Sequence, residues 1–257
     1  MRAAGTIDLQ PLSPVLGAQA PGARLLGADD STIEVVRSAV RERGLVFFRD
    51  QELSPEGLLE VTCRFGEAER FSHERAYPER PEVCIVTSDP RQAHAQPVYW
   101  HSDGAQQPEP PTLSLFYAVK TPGHGGETLF TDARDAYDSL PGELRERIEG
   151  RRAVMRNGFA QPLVRLHEAT GRRAIYADFG QTVGIEGLER DEARELFAAL
   201  RSHVARPEAT YALGWEPGDL AIWDNAAVLH SATRPPATGG KRLMWRTTVR
   251  GEPATAA

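Results

Sequence analysis

A β-rich domain with helices packed outside its sheets is what this 257-residue sequence predicts. Three observations lead there. Short apolar runs such as LVFF, TLSLFYAV and LAIW are bounded by Gly- and Pro-containing turns. Only a few stretches carry helical spacing. Neither a linker nor an internal repeat divides the chain, so residues 1–257 are expected to form one domain.

The elements follow in order. Residues 1–30 are rich in Gly, Pro and Ala, with a strand-like patch near Ala23–Leu26. Ser31 and Glu34 read as a capping box that opens a helix ending at Gly44. Leu45–Phe48 is a buried strand by its continuous apolar run. Ser54, Pro55 and Glu56 start a second helix, with Pro at the first helical position, running to about Phe65. The chain to about residue 110 is irregular, with a strand at Val83–Thr87. Strands at Thr112–Val119 and Glu127–Thr131 flank the Thr-Pro-Gly-His-Gly-Gly turn. Helices are expected at Asp135–Glu149 and Arg190–Val204, with a strand at Arg173–Ala177 between them. The last third holds Leu220–Trp223 and Arg242–Val249, joined by a polar loop that contains His230.

Charge narrows the class of partner. With 30 Lys and Arg against 36 Asp and Glu, the net charge is −6, and no basic stripe stands out. Nucleic acid and anionic membrane are therefore excluded as main partners. No apolar run reaches the 18 or so residues of a membrane span, and none near the N-terminus resembles a signal peptide, so a cytoplasmic location is expected. Cys63 and Cys84 fit neither a disulfide framework nor a zinc pattern and are expected as buried thiols.

The sharpest chemical feature is Tyr99-Trp-His-Ser-Asp103. On an extended segment, His101 and Asp103 point to the same side, so an imidazole and a carboxylate can converge on one cation. His230 is a candidate third ligand, and two histidines with one carboxylate make the facial triad used for Fe(II). By spacing alone, His101 and Asp103 are equally a polar pair in a loop. His94 and His124 read as solvated, and His167 and His203 as surface residues. In RLMWRTTV, Arg242, Met244 and Arg246 share a strand face, the two arginines roughly 13 Å apart at about 3.3 Å per residue. If that face looks inward, each guanidinium needs an anion and could grip a carboxylate through two bonds. At a sheet edge both would instead be solvated.

From about residue 40 to residue 250 the sequence resembles the taurine dioxygenase and 2,4-dichlorophenoxyacetate dioxygenase (TauD/TfdA) family of Fe(II)/2-oxoglutarate enzymes. The resemblance is carried by YWHSDG, by PTLSLFYAVKTPGHGGETLFTDARDAYDSL, and by GDLAIWDNAAVLHSATRPP followed by KRLMWRTTVRG. It implies a distorted double-stranded β-helix, a cupin-like jelly roll with flanking helices. It implies that His101, Asp103 and His230 bind Fe(II), that Thr128 and Arg242 hold the distal carboxylate of the co-substrate 2-oxoglutarate, and that O2 is the oxidant. Arg246 matches an arginine that contacts the substrate anion in sulfonate- and carboxylate-binding members. Trp100 and Trp223 are expected to pack beside the metal. A carboxylate at Asp103 favours hydroxylation over halogenation. Family members commonly form dimers or tetramers, so a homo-oligomer is implied.

The pocket departs from the taurine pattern. His73 falls near a histidine that taurine-binding members set against the sulfonate, but its spacing to Tyr77 differs by one residue. The segment before His101 and residues 156–162 also differ. The expected activity is therefore oxidation of a C–H bond in a small anionic metabolite other than taurine, as a tailoring step in specialised metabolism. The alternatives are catabolic cleavage of a sulfonate or aryloxy acid, a non-catalytic jelly-roll sensor, and a zinc hydrolase.

Overall fold

The computed structural model describes residues 7–72, 75–87, 98–233 and 240–257. Two short strands, β1 (Gln10–Pro11) and β2 (Ala18–Gln19), open the chain. The patch near Ala23–Leu26 is not a strand. Gln51 takes its backbone groups instead, accepting from the Leu25 N–H and donating to the Ala23 carbonyl. Helix α1 (Asp30–Arg43) is capped by Asp29, whose carboxylate accepts the Thr32 N–H, so the cap lies two residues before the expected one at Ser31. Ser31 only supports that cap, donating to the same carboxylate.

Gly44 ends α1 at φ 76° and leads directly into β3 (Leu45–Phe48). Helix α2 (Pro55–Cys63) starts as the sequence indicates, with the Ser54 side chain accepting from Gly57 N–H. Strands β4 (Ala76–Tyr77), β5 (Arg80–Thr87), β6 (Leu113–Lys120) and β7 (Thr128–Asp132) follow. The single helix expected over 135–149 is two, α3 (Ala133–Asp138) and α4 (Gly142–Ile148). Pro141 separates them, because it disfavours helical backbone at Leu140 and donates no hydrogen bond.

Short strands β8 (Arg152–Met155), β9 (Ala160–Pro162), β10 (Val164–His167), β11 (Arg172–Ile175) and β12 (Thr182–Ile185) precede α5 (Arg190–Val204). The chain closes with β13 (Tyr211–Leu213), β14 (Leu220–Asp224), β15 (Val228–Ala232) and β16 (Leu243–Val249). His230 thus sits in a strand, not in the polar loop expected there. Its strand looks polar in sequence because His230 and Ser231 are themselves buried.

The main sheet runs β1-β2-β3-β14-β6-β16-β5-β4, and a smaller one runs β13-β7-β15. Between them lies a core of Leu45, Phe47, Phe116, Ala221, Trp223 and Met244 from the first, and Phe130, Leu213 and Val228 from the second. Alternate residues of the same strands, Val46, Phe48, Leu115, Tyr117, Leu220 and Ile222, face the other way and meet Ile33, Val36, Val40, Leu58 and Val61 of α1 and α2. Period-two alternation therefore separates an inner face, which holds the site, from a helix-covered outer face. The architecture is a distorted jelly roll. A further core gathers α3 to α5 with the strands after residue 150. Cys84 is buried, whereas Cys63 is exposed at the end of α2. Among the described residues, no helix is long and apolar enough to cross a membrane.

The junction of α1 and β3 constrains one position closely. A Cβ at Gly44 would come within 2.8 Å of the Val228 side chain, on a backbone at positive φ. Gly44→Ala should lower unfolding stability by about 1–3 kcal/mol, from strained backbone plus the clash with β15. Urea titration of the purified protein measures the loss, and a value below a few tenths would contradict it.

Candidate metal centre

His101 and His230 are brought together by their backbones. The segment Trp100–His101 lies as an isolated β-bridge against β15, with His101 N–H donating to the His230 carbonyl and His230 N–H to the His101 carbonyl, both at 2.9 Å. Such a doubly bonded antiparallel pair sets the two side chains on one face. The rings lie 4.2 Å apart, centre to centre. On its other edge, the segment bridges to Asp178.

Asp103 closes the group. Its Oδ1 is 3.9 Å from His101 Nε2 and its Oδ2 is 3.9 Å from His230 Nε2. One ligand atom from each of the three residues falls within 4.8 Å of the others, and all three residues are buried. His101 Nδ1 lies 3.0 Å from the Tyr99 carbonyl. A carbonyl only accepts, so that nitrogen carries a proton and Nε2 is left to bind a metal. Burial and the neighbouring His101 push His230 down to about 3, against the pull of Asp103, so its imidazole is neutral at ordinary pH. Two imidazole nitrogens and a carboxylate suit a divalent transition metal.

Burial opposes ionisation of Asp103, yet Arg246, the two histidines and Ser114 outweigh it and hold the carboxyl well below the usual range. Arg246 Nη1 donates to Oδ1 at 2.7 Å and Ser114 Oγ to Oδ2 at 2.7 Å. Trp223 packs on the His230 ring at 4.9 Å, centre to centre, in the place expected for it.

Beside the three residues is a narrow cavity of about 50 Å³ that Thr128, Arg242 and Arg246 also line. Arg242 precedes β16 by one residue, and its guanidinium lies over the Phe116 and Trp215 rings at 5.3 and 5.7 Å. Burial lowers it to about 10, with Glu127 opposing, so it stays cationic at neutral pH. Thr128 Oγ1 accepts from Trp215 Nε1 at 3.0 Å and from Arg242 Nη2 at 3.2 Å. With both acceptor positions used, the hydroxyl proton is left to donate into the cavity.

Arg246, His101 and Asp103 also border a wider pocket of about 360 Å³ with Glu69, Phe71, Arg75, Tyr99, Gln181 and Thr248. Tyr99 is seated against Gly180, where a Cβ would come within 2.2 Å of the ring. A larger groove of about 580 Å³, between β12 and α5, contains none of the residues that converge on Asp103.

The structure brings together six of the seven residues singled out in the sequence: His101, Asp103, His230, Thr128, Arg242 and Arg246. His73 lies outside the described residues, as does His94. His167 and His203 are buried, not on the surface. His167 Nε2 lies 3.0 Å from Asp224 Oδ2, and His203 Nε2 is 2.9 Å from the Ala136 carbonyl. Sequence reasoning missed Ser114 and Asn225. Asn225 stands beside Asp224 in the stretch leading to His230, but nothing about Ser114 within an apolar strand marks it.

A jelly roll with this buried group between its sheets defines the architecture of the α-ketoglutarate (2-oxoglutarate)-dependent dioxygenases. The family model for "Taurine catabolism dioxygenase TauD, TfdA family" matches residues 8–248, and the chain belongs to that family. It is 29% identical to the (S)-phenoxypropionate/alpha-ketoglutarate-dioxygenase of Sphingobium herbicidovorans, over 96% of each chain. It is 32% identical to pentalenolactone F synthase of Streptomyces arenae, over 84% of this chain and 86% of that one. The crystal structure of a taurine dioxygenase from Burkholderia xenovorans superposes with a TM-score of 0.87 at 32% identity, covering 98% of this chain and 92% of that one.

The Asp103–Arg246 contact has a measurable role in the metal-free protein. Arg246→Met leaves a buried carboxylate without its cation and should cost about 3 kcal/mol of stability. Because the folded-state pKa of Asp103 is depressed, its contribution is complete above the unfolded value and is lost as pH falls through the folded one. The gap between variant and unmodified protein in urea titrations should therefore be full at pH 7 and shrink under acid conditions. A gap independent of pH would contradict this assignment.

Proposed function

We propose that His101, Asp103 and His230 hold Fe(II), that Thr128 and Arg242 bind the distal carboxylate of 2-oxoglutarate, and that the enzyme hydroxylates a small anionic metabolite. The observation that carries the reading is the convergence of two imidazole Nε2 atoms and one carboxylate, all buried, beside a cavity lined by two arginines. Bound there, iron with 2-oxoglutarate and O2 supplies an oxidant for an unactivated C–H bond, with decarboxylation of the oxo acid to succinate and CO2.

The protein's own residues bind, orient and exclude water. Arg242 offers a fixed cation against aromatic walls, and Thr128 offers a directed proton. Together they suit a carboxylate better than a neutral group. Phe116, Trp215 and Trp223 keep the surroundings apolar, which strengthens each charge interaction inside. Arg246 lines both the inner cavity and the outer pocket, so its guanidinium touches Asp103 and also faces the space open to a substrate.

The substrate is read as an intermediate of specialised metabolism, in keeping with the likeness to pentalenolactone F synthase. Catabolic oxidation of an aryloxy acid is the second reading, favoured by the similarity to the phenoxypropionate enzyme. A screen for succinate release over small carboxylates, sulfonates and aryloxy acids separates the two. We further propose that the chain acts as one oxygenase domain, in the cytoplasm, as a homo-oligomer; sedimentation would test the last.

Anaerobic addition of Fe(II) and 2-oxoglutarate should produce a visible metal-to-ligand absorption band that His101→Ala abolishes. No band in the unmodified protein would overturn the proposal, and 2-oxoglutarate binding unaffected by His101→Ala would favour a non-catalytic sensor. Arg242→Gln should weaken 2-oxoglutarate binding roughly 10–100-fold, the loss expected for a charge-assisted contact of about 1.5–3 kcal/mol.

A further inference from the structure

We propose that Ser114 and Asn225 are positioning residues that fix the Asp103 carboxylate through a one-way chain of hydrogen bonds anchored on Trp223. The inference rests on reading His101, Asp103 and His230 as the metal ligands.

Direction along the chain follows from which groups can only donate. The indole Nε1 of Trp223 donates to Asn225 Oδ1 at 3.0 Å. Indole N–H cannot accept, so it settles which end of the Asn225 amide is oxygen. The amide nitrogen must then face Ser114, where Nδ2 donates to Oγ at 3.0 Å. With a lone pair of Ser114 so engaged, its hydroxyl proton points at Asp103 Oδ2, 2.7 Å away. Each bond thus fixes the next. The end of the chain delivers a donor to Asp103 Oδ2, which fixes the orientation of the side chain.

Two further features tie this chain to the ligand segment. Ser102, between His101 and Asp103, donates to the Asn225 carbonyl at 2.6 Å. Asn225 therefore holds the segment by its backbone and, through Ser114, the carboxylate by its side chain. The register of the main sheet places Trp223 directly across from Ser114, so the first and the last donor of the chain stand at paired backbone positions. Trp223, Ser114, Asn225 and Asp103 are all buried, which keeps water from replacing any one link. With Oδ2 held by Ser114 and Oδ1 by Arg246, the carboxylate plane is fixed before any metal arrives.

The test is Fe(II) affinity, measured without O2 by competition with a chromophoric chelator, alongside the thermal midpoint of the metal-free protein. Ser114→Ala removes the donor. Asn225→Asp removes the amide donor and gives the Ser114 hydroxyl a different acceptor. Both should weaken Fe(II) binding about 10–100-fold, the range typical when an outer partner of a ligand is lost. Ser114→Thr keeps the hydroxyl and should recover most of the affinity. A purely structural role would move the thermal midpoint and leave Fe(II) affinity alone. Fe(II) binding by folded Ser114→Ala as tight as that of the unmodified protein overturns the chain, as does Ser114→Thr binding as weakly as Ser114→Ala. Should Asn225→Asp not fold, the two Ser114 variants decide the matter by themselves. Absence of Fe(II) binding by the unmodified protein would instead overturn the metal reading, and this proposal with it.

Discussion

Asp103 must remain ionised where almost no water reaches it, and the inner face of the fold is arranged around that demand. An isolated carboxylate moved into protein interior would protonate, because desolvation costs the charged form several kcal/mol. Here a guanidinium, a hydroxyl and two imidazoles surround it, each delivered by a different segment. Arg246 comes from β16, Ser114 from β6, His230 from β15, and His101 from the bridge that lies against β15. The order β14-β6-β16 puts Ser114 between Trp223 and Thr248 in register, so a slip of one residue in either pairing would turn it to the helix-covered side. Sheet register and site electrostatics are therefore one constraint.

Two cations line the inner cavity: Arg242, deeply buried with Glu127 supporting its charge, and Arg246, which pairs with Asp103. A divalent cation at the three converging residues would add positive charge. A dicarboxylate that reaches from that cation to Arg242, as the proposed co-substrate would, cancels the charge that the cation adds. The Phe116 and Trp215 rings supply faces against which a guanidinium stacks well, and a lysine would not serve equally there.

The residues that do the proposed chemistry were more legible in the sequence than the frame that holds them. His101 and Asp103 stand at alternate spacing and Arg242 and Arg246 on one strand face, patterns that are ambiguous alone and that the family resemblance turns into a site. Both pairs converge in the structure, although Asp103 begins a turn and Arg242 lies one residue before β16. The sequence around His230 reads as a loop because a strand with two buried polar residues lacks the apolar alternation that marks strands. The strands between residues 152 and 185 were mostly missed for a related reason: none exceeds four residues, and charged side chains such as Arg152, Arg165 and Arg172 interrupt them. Ser114 was invisible because its role exists only once β6 lies beside β14. Pairing between distant segments leaves no trace in the spacing of either one.

The same distinction bears on what selects a substrate. The inner cavity is built on strands whose register is fixed by many backbone bonds, whereas much of the outer pocket comes from irregular segments around residues 69–72 and 99–107. Its charges are mixed: Arg70 pairs with Glu82, and Glu69 accepts from Thr248 at 2.6 Å. An anion entering there meets Arg246 already committed to Asp103, so it must share that guanidinium. Sharing would link the outer pocket to the carboxylate of the proposed metal centre, while the irregular segments around it would set the shape that an anion meets. A strand-built inner site holds its residues by register, and the family resemblance reads clearly there, through Asp103, Arg242 and His230.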